Sequence, residues 1–295
     1  QPRLGLGLAV IREGNLEEGR RQIEISTALD PNNALVRSYM GKAYYEEKRD
    51  RLARREYAAA KELDPKDPTP WLYDAIMKHA ENRPVEAMQD LETSMELNDN
   101  RAVYRSQLML DQDLAARSAG LARIYSDLGF EQRALVEGWE SLNDDPSNFS
   151  AHRLLADLYS ALPRHEQART SELLQSQLLQ PINITPVQPQ LAESDLRIYE
   201  GTGPASPSFN EYGPLFNRNR TNLQASGVWG EKGILGDEVA LNALYNRFSM
   251  SLGQFYYESD GFRANNDQQK EIYNLFMQGS LSYKTSLQAE LRYTD

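Results

Sequence analysis

Apolar residues along this chain follow two different periods. Through about residue 180 they keep a helical period, and after a break they alternate one for one with polar residues. The alternation is clearest at 286–294, where Leu287, Ala289, Leu291 and Tyr293 interleave with Ser286, Gln288, Glu290 and Arg292. Over 271–283, Tyr273, Leu275, Met277, Leu281 and Tyr283 share one side, with Asn274, Gln278, Ser280 and Ser282 on the other. Phe248, Met250 and Leu252 likewise oppose Ser249, Ser251 and Gly253, and Val239, Leu241, Ala243 and Tyr245 share a side over 237–245. Successive side chains of a strand point to opposite faces, so each run predicts a half-buried strand, with a fifth, weaker one near 220–229.

The helical part carries an internal repeat. Asp30-Pro31 returns as Asp64-Pro65 and Gly7 returns as Gly41, each 34 residues on (65 − 31; 41 − 7). ALDPNN at 28–33 is matched by ELDPKD at 62–67, and GKAYYEE fills 41–47. These phrases at this period resemble the tetratricopeptide repeat (TPR) family, whose unit is a pair of antiparallel helices. The resemblance implies a right-handed α-solenoid over residues 1–180 in about five repeats. It sets small residues on the first helix of each pair (Gly7, Gly41, Ala75, Ala122, Ala156) against small residues on the second (Ala53, Ala87, Ala134, Ala168), with Tyr44, Tyr125 and Tyr159 interlocking beside them. Pro31, Pro65 and Pro146 fall where the second helix must end, because proline cannot continue the backbone ladder. In the third repeat Trp71 starts the first helix, and ELND at 96–99 replaces the proline turn. Asp99 to Pro146 spans 47 residues, 13 more than one period, so residues 101–113 read as an insertion. The fourth and fifth repeats then cover 115–148 and 149–180.

A TPR stack presents a concave groove lined by the first helices. Carried onto this chain, the family's groove positions are Lys42, Tyr45, His79, Arg123, Arg153 and Asp157, which would receive a protein or peptide partner; the alternative is that each is an ordinary solvated helix residue. The Lys/Asn/Arg set with which chaperone-binding TPRs grip a terminal carboxylate is not assembled here, so that ligand is not expected.

Pro181, Pro186, Pro189, Pro204, Pro207 and Pro214, with Gly201, Gly203 and Gly213, end the helical period. Residues 181–218 therefore read as an extended linker with one short strand or helix near 191–199. Beyond it, connection lengths alternate: a longer loop at 230–236, a two-residue turn at Asn246-Arg247, a long polar loop at 258–269 and a short turn near 284–286. Tyr245 and Phe248 flank the two-residue turn and stay in register. Alternating connections, strands of about ten residues, and an apolar side against a Ser/Asn/Gln/Gly side are the pattern of an outer-membrane β-barrel. Tyr245, Tyr256, Tyr257, Tyr283 and Tyr293 would supply its aromatic girdle. The alternative is a soluble antiparallel meander or sandwich. Such barrels begin at about eight strands, so 219–295 is expected to be an incomplete barrel or meander of a longer protein. Its open last edge invites self-association.

Composition narrows the function. A chain of 295 residues has room for two domains, and a net charge of −11 with both signs dispersed argues against nucleic acid as a partner. The absence of cysteine excludes zinc ribbons, disulfides and thiol catalysis, and suits an oxidising compartment. No apolar run approaches the roughly 20 residues of a membrane-spanning helix, and no signal peptide stands at Gln1, where a repeat begins at once and a preceding segment is expected to be missing. His79, His152 and His165 lack partners at metal-ligand spacing. Glu17-Glu18 and Glu46-Glu47 are solvated helix faces, and no phosphate loop or nucleophile elbow is present. No catalytic residue, metal or cofactor is therefore expected, and the chain does not read as an enzyme. Its order, α then β, resembles the bacterial exopolysaccharide exporters for cellulose and poly-N-acetylglucosamine, in which periplasmic TPRs precede an outer-membrane barrel. That likeness implies a groove for a modifying enzyme, an assembly partner or the polymer, and a barrel as exit pore. The competing expectation is a soluble TPR adaptor whose β-sandwich appendage assembles a surface or filament complex.

Overall fold

The computed structural model describes residues 2–100, 110–182, 184–186, 191–192, 196 and 216–295. Its helices run as pairs: α1 (Pro2–Arg12) and α2 (Leu16–Leu29), α3 (Ala34–Glu46) and α4 (Asp50–Leu63), α5 (Pro68–Ala80) and α6 (Pro84–Glu96), α7 (Leu110–Asp127) and α8 (Glu131–Asp144), α9 (Phe149–Ser160) and α10 (Glu166–Leu179). Five antiparallel strands follow, β1 (Arg220–Trp229), β2 (Leu235–Tyr245), β3 (Phe248–Ser259), β4 (Gln268–Ser282) and β5 (Thr285–Thr294). The chain divides into two compact units, one holding α1–α8 with residues 216–217, the other holding α10 and the sheet. Of the insertion expected over 101–113, residues 101–109 lie outside the described residues, and 110–113 open α7. The short element expected near 191–199 also lies largely outside them.

In the helical unit, repeated residues do repeated physical work. Asn33 and Asp67, one period apart, cap α3 and α5: their side-chain oxygens accept from the Val36 and Thr69 amides at 3.2 and 2.9 Å. Each satisfies an amide that the first helical turn leaves unpaired. Asn33→Ala should therefore cost ~1 kcal/mol, read as a lower urea midpoint at unchanged m-value. Pro31, Pro65 and Pro146 each stand two residues past the last residue of a second helix, as expected. Trp71 does not start its helix, because Pro68 takes the first position of α5, where its missing amide costs nothing.

The small-residue contacts hold the pairs together. A Cβ built on Gly41 would lie 2.5 Å from the Tyr57 ring and 3.2 Å from the Ala53 carbonyl oxygen, so α3 and α4 approach closer than any side chain permits. Gly7 meets the Gly19 carbonyl oxygen across α1 and α2 in the same way. Ile23, Tyr57 and Leu91, spaced by one period (57 − 23; 91 − 57), are fully enclosed and form the spine of the core. Ala168, expected in the last such contact, is only partly covered. One clasp also recurs at the period: Arg20 bonds Glu47 and Arg54 bonds Glu81, both at 2.7 Å, tying each second helix to the end of the next first helix.

The sheet runs in the order β1-β2-β3-β4-β5 and is open, with β1 and β5 as its edges. All five strands stand within a few residues of the expected runs. The register lines Leu223, Leu241, Leu252, Leu275 and Leu291 into one row across the whole sheet. Thr221, Ala243, Met250, Met277 and Ala289 form the neighbouring row of the same side. On the other side Asn222, Asn242, Ser251, Phe276 and Glu290 line up.

The leucine side is the more exposed of the two, and the other side is covered over both its polar and its apolar residues. Leu223 and Leu291 are 69% and 68% exposed, whereas Asn242, Ser251 and Gln278 are almost fully covered. Cover comes in part from Gln177, Pro181 and Leu191, which precede the sheet in sequence. Gln278 donates to the Pro181 carbonyl at 3.1 Å, Gln288 to the Gln177 carbonyl at 3.0 Å and Arg292 to the Leu191 carbonyl at 3.0 Å. Leu191 and Ala192 pack on Phe255 and Ile272 on that side, where Ala240, Leu244 and Phe276 are buried as well.

Candidate functional site

The helical unit gathers its aromatic residues at one place. Tyr39 of α3 and Tyr73 of α5 occupy the same position of successive repeats (73 − 39 = 34), so stacking the repeats brings their rings to a centroid separation of 6.1 Å. Phe216 completes the cluster, lying near-parallel to Tyr39 at 6.3 Å and edge-on to Tyr73 at 6.2 Å. Aromatic pairs prefer these offset and edge-to-face arrangements, in which the electron-rich face of one ring meets the positive rim of another. Lys42 adds a cation. Its Nζ sits 4.6 Å from the Tyr45 ring centre and 5.9 Å from that of Phe216, while Glu46 holds it at 2.7 Å. Arg12, the last residue of α1, donates to the Asn217 carbonyl at 3.4 Å. Tyr39, Tyr73 and Phe216 are all buried. Three successive first helices thus hold a two-residue piece of the chain's own later sequence.

Of the groove positions expected from the sequence, Lys42 and Tyr45 are brought together here. His79 is elsewhere on α5, where its Nε2 meets the Asp127 carboxylate of α7 at 2.6 Å. Arg123, Arg153 and Asp157 are buried, on α7 and α9. Tyr39, Tyr73, Arg12 and Phe216 escaped the reading of the sequence. The 34-residue spacing of the two tyrosines was a usable signal; nothing local marks Phe216.

A second charged group lies between α4, α5 and α6. Lys61 contacts Asp74 at 2.6 Å and Asp90 at 3.1 Å, and Lys78 contacts Asp90 at 2.6 Å and Asp74 at 3.3 Å. Burial acts to raise the Asp74 carboxyl, but the Lys61 and Lys78 ammonium groups outweigh it and hold it below the usual carboxylate range. Two cations and two anions neutralise one another, so the cluster joins helices and leaves no net charge for a ligand. His152 and His165 turn to the carbonyls of Pro146 and Pro163. Among the described residues, no group of acidic or histidine side chains has the arrangement of a metal site.

No protein-family model matches the chain, and no curated protein does. Solved structures do. The Cut9 chain of the APC/C Cut9–Hcn1 hetero-tetramer superposes with a TM-score of 0.52 at 16% identity, over 61% of this chain and 33% of that one. PilW, described as a widely conserved type IV pilus biogenesis factor, superposes with a TM-score of 0.50 at 16% identity, over 60% of this chain and 76% of that one. The chain spans about a third of the length of Cut9. At these identities the likeness speaks for fold alone, and the helical part of this chain has a TPR-like repeat fold.

Proposed function

We propose that this chain is a non-catalytic protein–protein interaction scaffold of the bacterial periplasm, tethered to the outer membrane by strands that begin a β-barrel, and serving the export of a polysaccharide or protein. The TPR-like helical fold supports the scaffold, since stacked helix pairs build extended concave surfaces for partners. One observation carries the membrane tether: Leu223, Leu252 and Leu291 of the leucine row are exposed on one side of the sheet, while Asn242, Ser251 and Gln278 are covered on the other, beside Phe255, Ile272 and Phe276. In water this arrangement is unfavourable, at roughly 25 cal/mol per Å² of apolar area left wet. In lipid it is the favourable one, and the polar side then faces a lumen.

Two further features agree. Tyr245 and Tyr283, at strand ends, are 70% and 89% exposed, as interfacial aromatics are. The buried Asn274 carboxamide has no partner among the described residues, and buried polar groups are ordinarily satisfied by protein or water. No helix among the described residues is long and apolar enough to cross a membrane, so insertion would rest on the strands.

Fractionation of cells expressing the full-length gene product tests the reading. It should sediment with the outer membrane, resist a carbonate wash and need detergent for extraction. Recovery in the soluble fraction without detergent overturns the tether and leaves the soluble adaptor.

A further inference from the structure

Phe216 adjoins Asn217, whose carbonyl accepts from Arg12, and stands four residues before the first strand, yet it is buried among first-helix side chains of the helical unit. We infer that the pocket formed by Tyr39 and Tyr73 beneath Lys42 is a receptor for one aromatic side chain of a peptide, and that Phe216 is its ligand in cis, holding the site closed against a partner that presents the same chemistry in trans. The inference deepens the scaffold reading above and rests on it.

Three observations carry it. The pocket is built by repeat stacking: its two tyrosines come from equivalent positions of adjacent repeats, so their spacing is set by the solenoid rather than by Phe216. Its occupant is recognised by side chain and backbone together, the ring by two aromatic contacts and the Lys42 cation, the Asn217 carbonyl by Arg12. That division is how a groove reads a peptide: a pocket gives specificity and a main-chain bond sets the register. Finally, the occupant is remote in sequence, 143 positions after Tyr73 (216 − 73). A ligand joined through the chain acts at an effective concentration on the order of millimolar, so it screens out a weak competitor and yields to a strong one. The partner that fits carries a phenylalanine or tyrosine on a short flexible segment, next to a free backbone carbonyl and without an acidic requirement, because Glu46 already neutralises Lys42.

The test uses the full chain in detergent and a fluorescein-labelled peptide of residues 211–220, followed by fluorescence anisotropy. Phe216→Ala should bind the peptide, and the unaltered chain should bind it about tenfold more weakly, because its pocket is filled. The same peptide with alanine in place of its phenylalanine should not bind, and Tyr39→Ala added to Phe216→Ala should abolish binding. If Phe216→Ala fails to give the far-ultraviolet spectrum of the unaltered chain, Phe216→Leu replaces it, since leucine retains apolar fill but loses the ring contacts. Equal binding by the unaltered and altered chains, no binding by a folded altered chain, or binding that survives Tyr39→Ala overturns the inference and makes Phe216 an ordinary core residue. Fractionation is a separate readout: a chain that sediments with membrane but binds no peptide sinks only the cis ligand, and a soluble chain that binds peptide sinks only the tether.

Discussion

Leu252→Arg is expected to destabilise the sheet by about 2–4 kcal/mol in lipid, the cost of a guanidinium near the bilayer midplane on the outer side of a barrel strand. Leu252 is the middle member of the leucine row, paired with Leu241 on one side and Leu275 on the other. It is also the fifth of the twelve residues of β3, away from both ends of its strand and so from both interfaces. Depth gives the control. Leu235, at the start of β2, is exposed on the same side, and arginine there should cost only about 0–1 kcal/mol if the strand end reaches the interface. The measurement is urea unfolding of the protein folded into phospholipid vesicles. Were this side of the sheet wetted, both substitutions would be ordinary surface changes of within about 0.5 kcal/mol, and Leu252→Arg would not stand apart. A flat result across the two positions removes the observation on which the membrane tether rests.

Tyr57→Ala should cost about 3–5 kcal/mol in the helical unit, the usual range for truncating a buried aromatic ring. Tyr57 is fully enclosed, and its ring fills the space that Gly41 leaves open between α3 and α4. Its hydroxyl has no partner among the described residues, and burial pushes its titration well above the ordinary tyrosine value. The lower end of the range is favoured for that reason, since alanine removes an unpaired polar atom along with the ring. The same atom predicts that Tyr57→Phe is neutral or stabilising, by up to about 1 kcal/mol, whereas an ordinary bonded tyrosine would lose that amount. Gly41→Ala supplies the converse: its methyl group lands on the Tyr57 ring and should cost about 1–3 kcal/mol by overpacking, despite alanine's better helix propensity. Combined with Tyr57→Ala, Gly41→Ala should cost far less than the sum, with a coupling of about 1–3 kcal/mol in denaturant titrations. Additive costs would show that the two residues do not interlock.

Much of the fold was legible because its signals are local. Strand runs follow from a period of two, which the backbone imposes on neighbouring side chains. Helix pairs followed from Asp-Pro and glycine phrases at a spacing of 34, and the caps Asn33 and Asp67 obey the same spacing. The site was less legible. Lys42 carries its partner four residues on, in Glu46, a contact any helix makes. His79 meets Asp127 across 48 residues, and the length of chain between them hides such a pairing.

The sequence by itself therefore determined the repeat, the strands, and the division of each strand into an apolar and a polar side, since these depend on neighbours along the chain. Only the tertiary structure decided which side of the sheet is covered, because alternation is symmetric until other residues, here Gln177, Pro181 and Leu191, meet one side. Only the tertiary structure placed Phe216 against Tyr39 and Tyr73, because a ring in a proline- and glycine-rich stretch has no period to betray what it packs against.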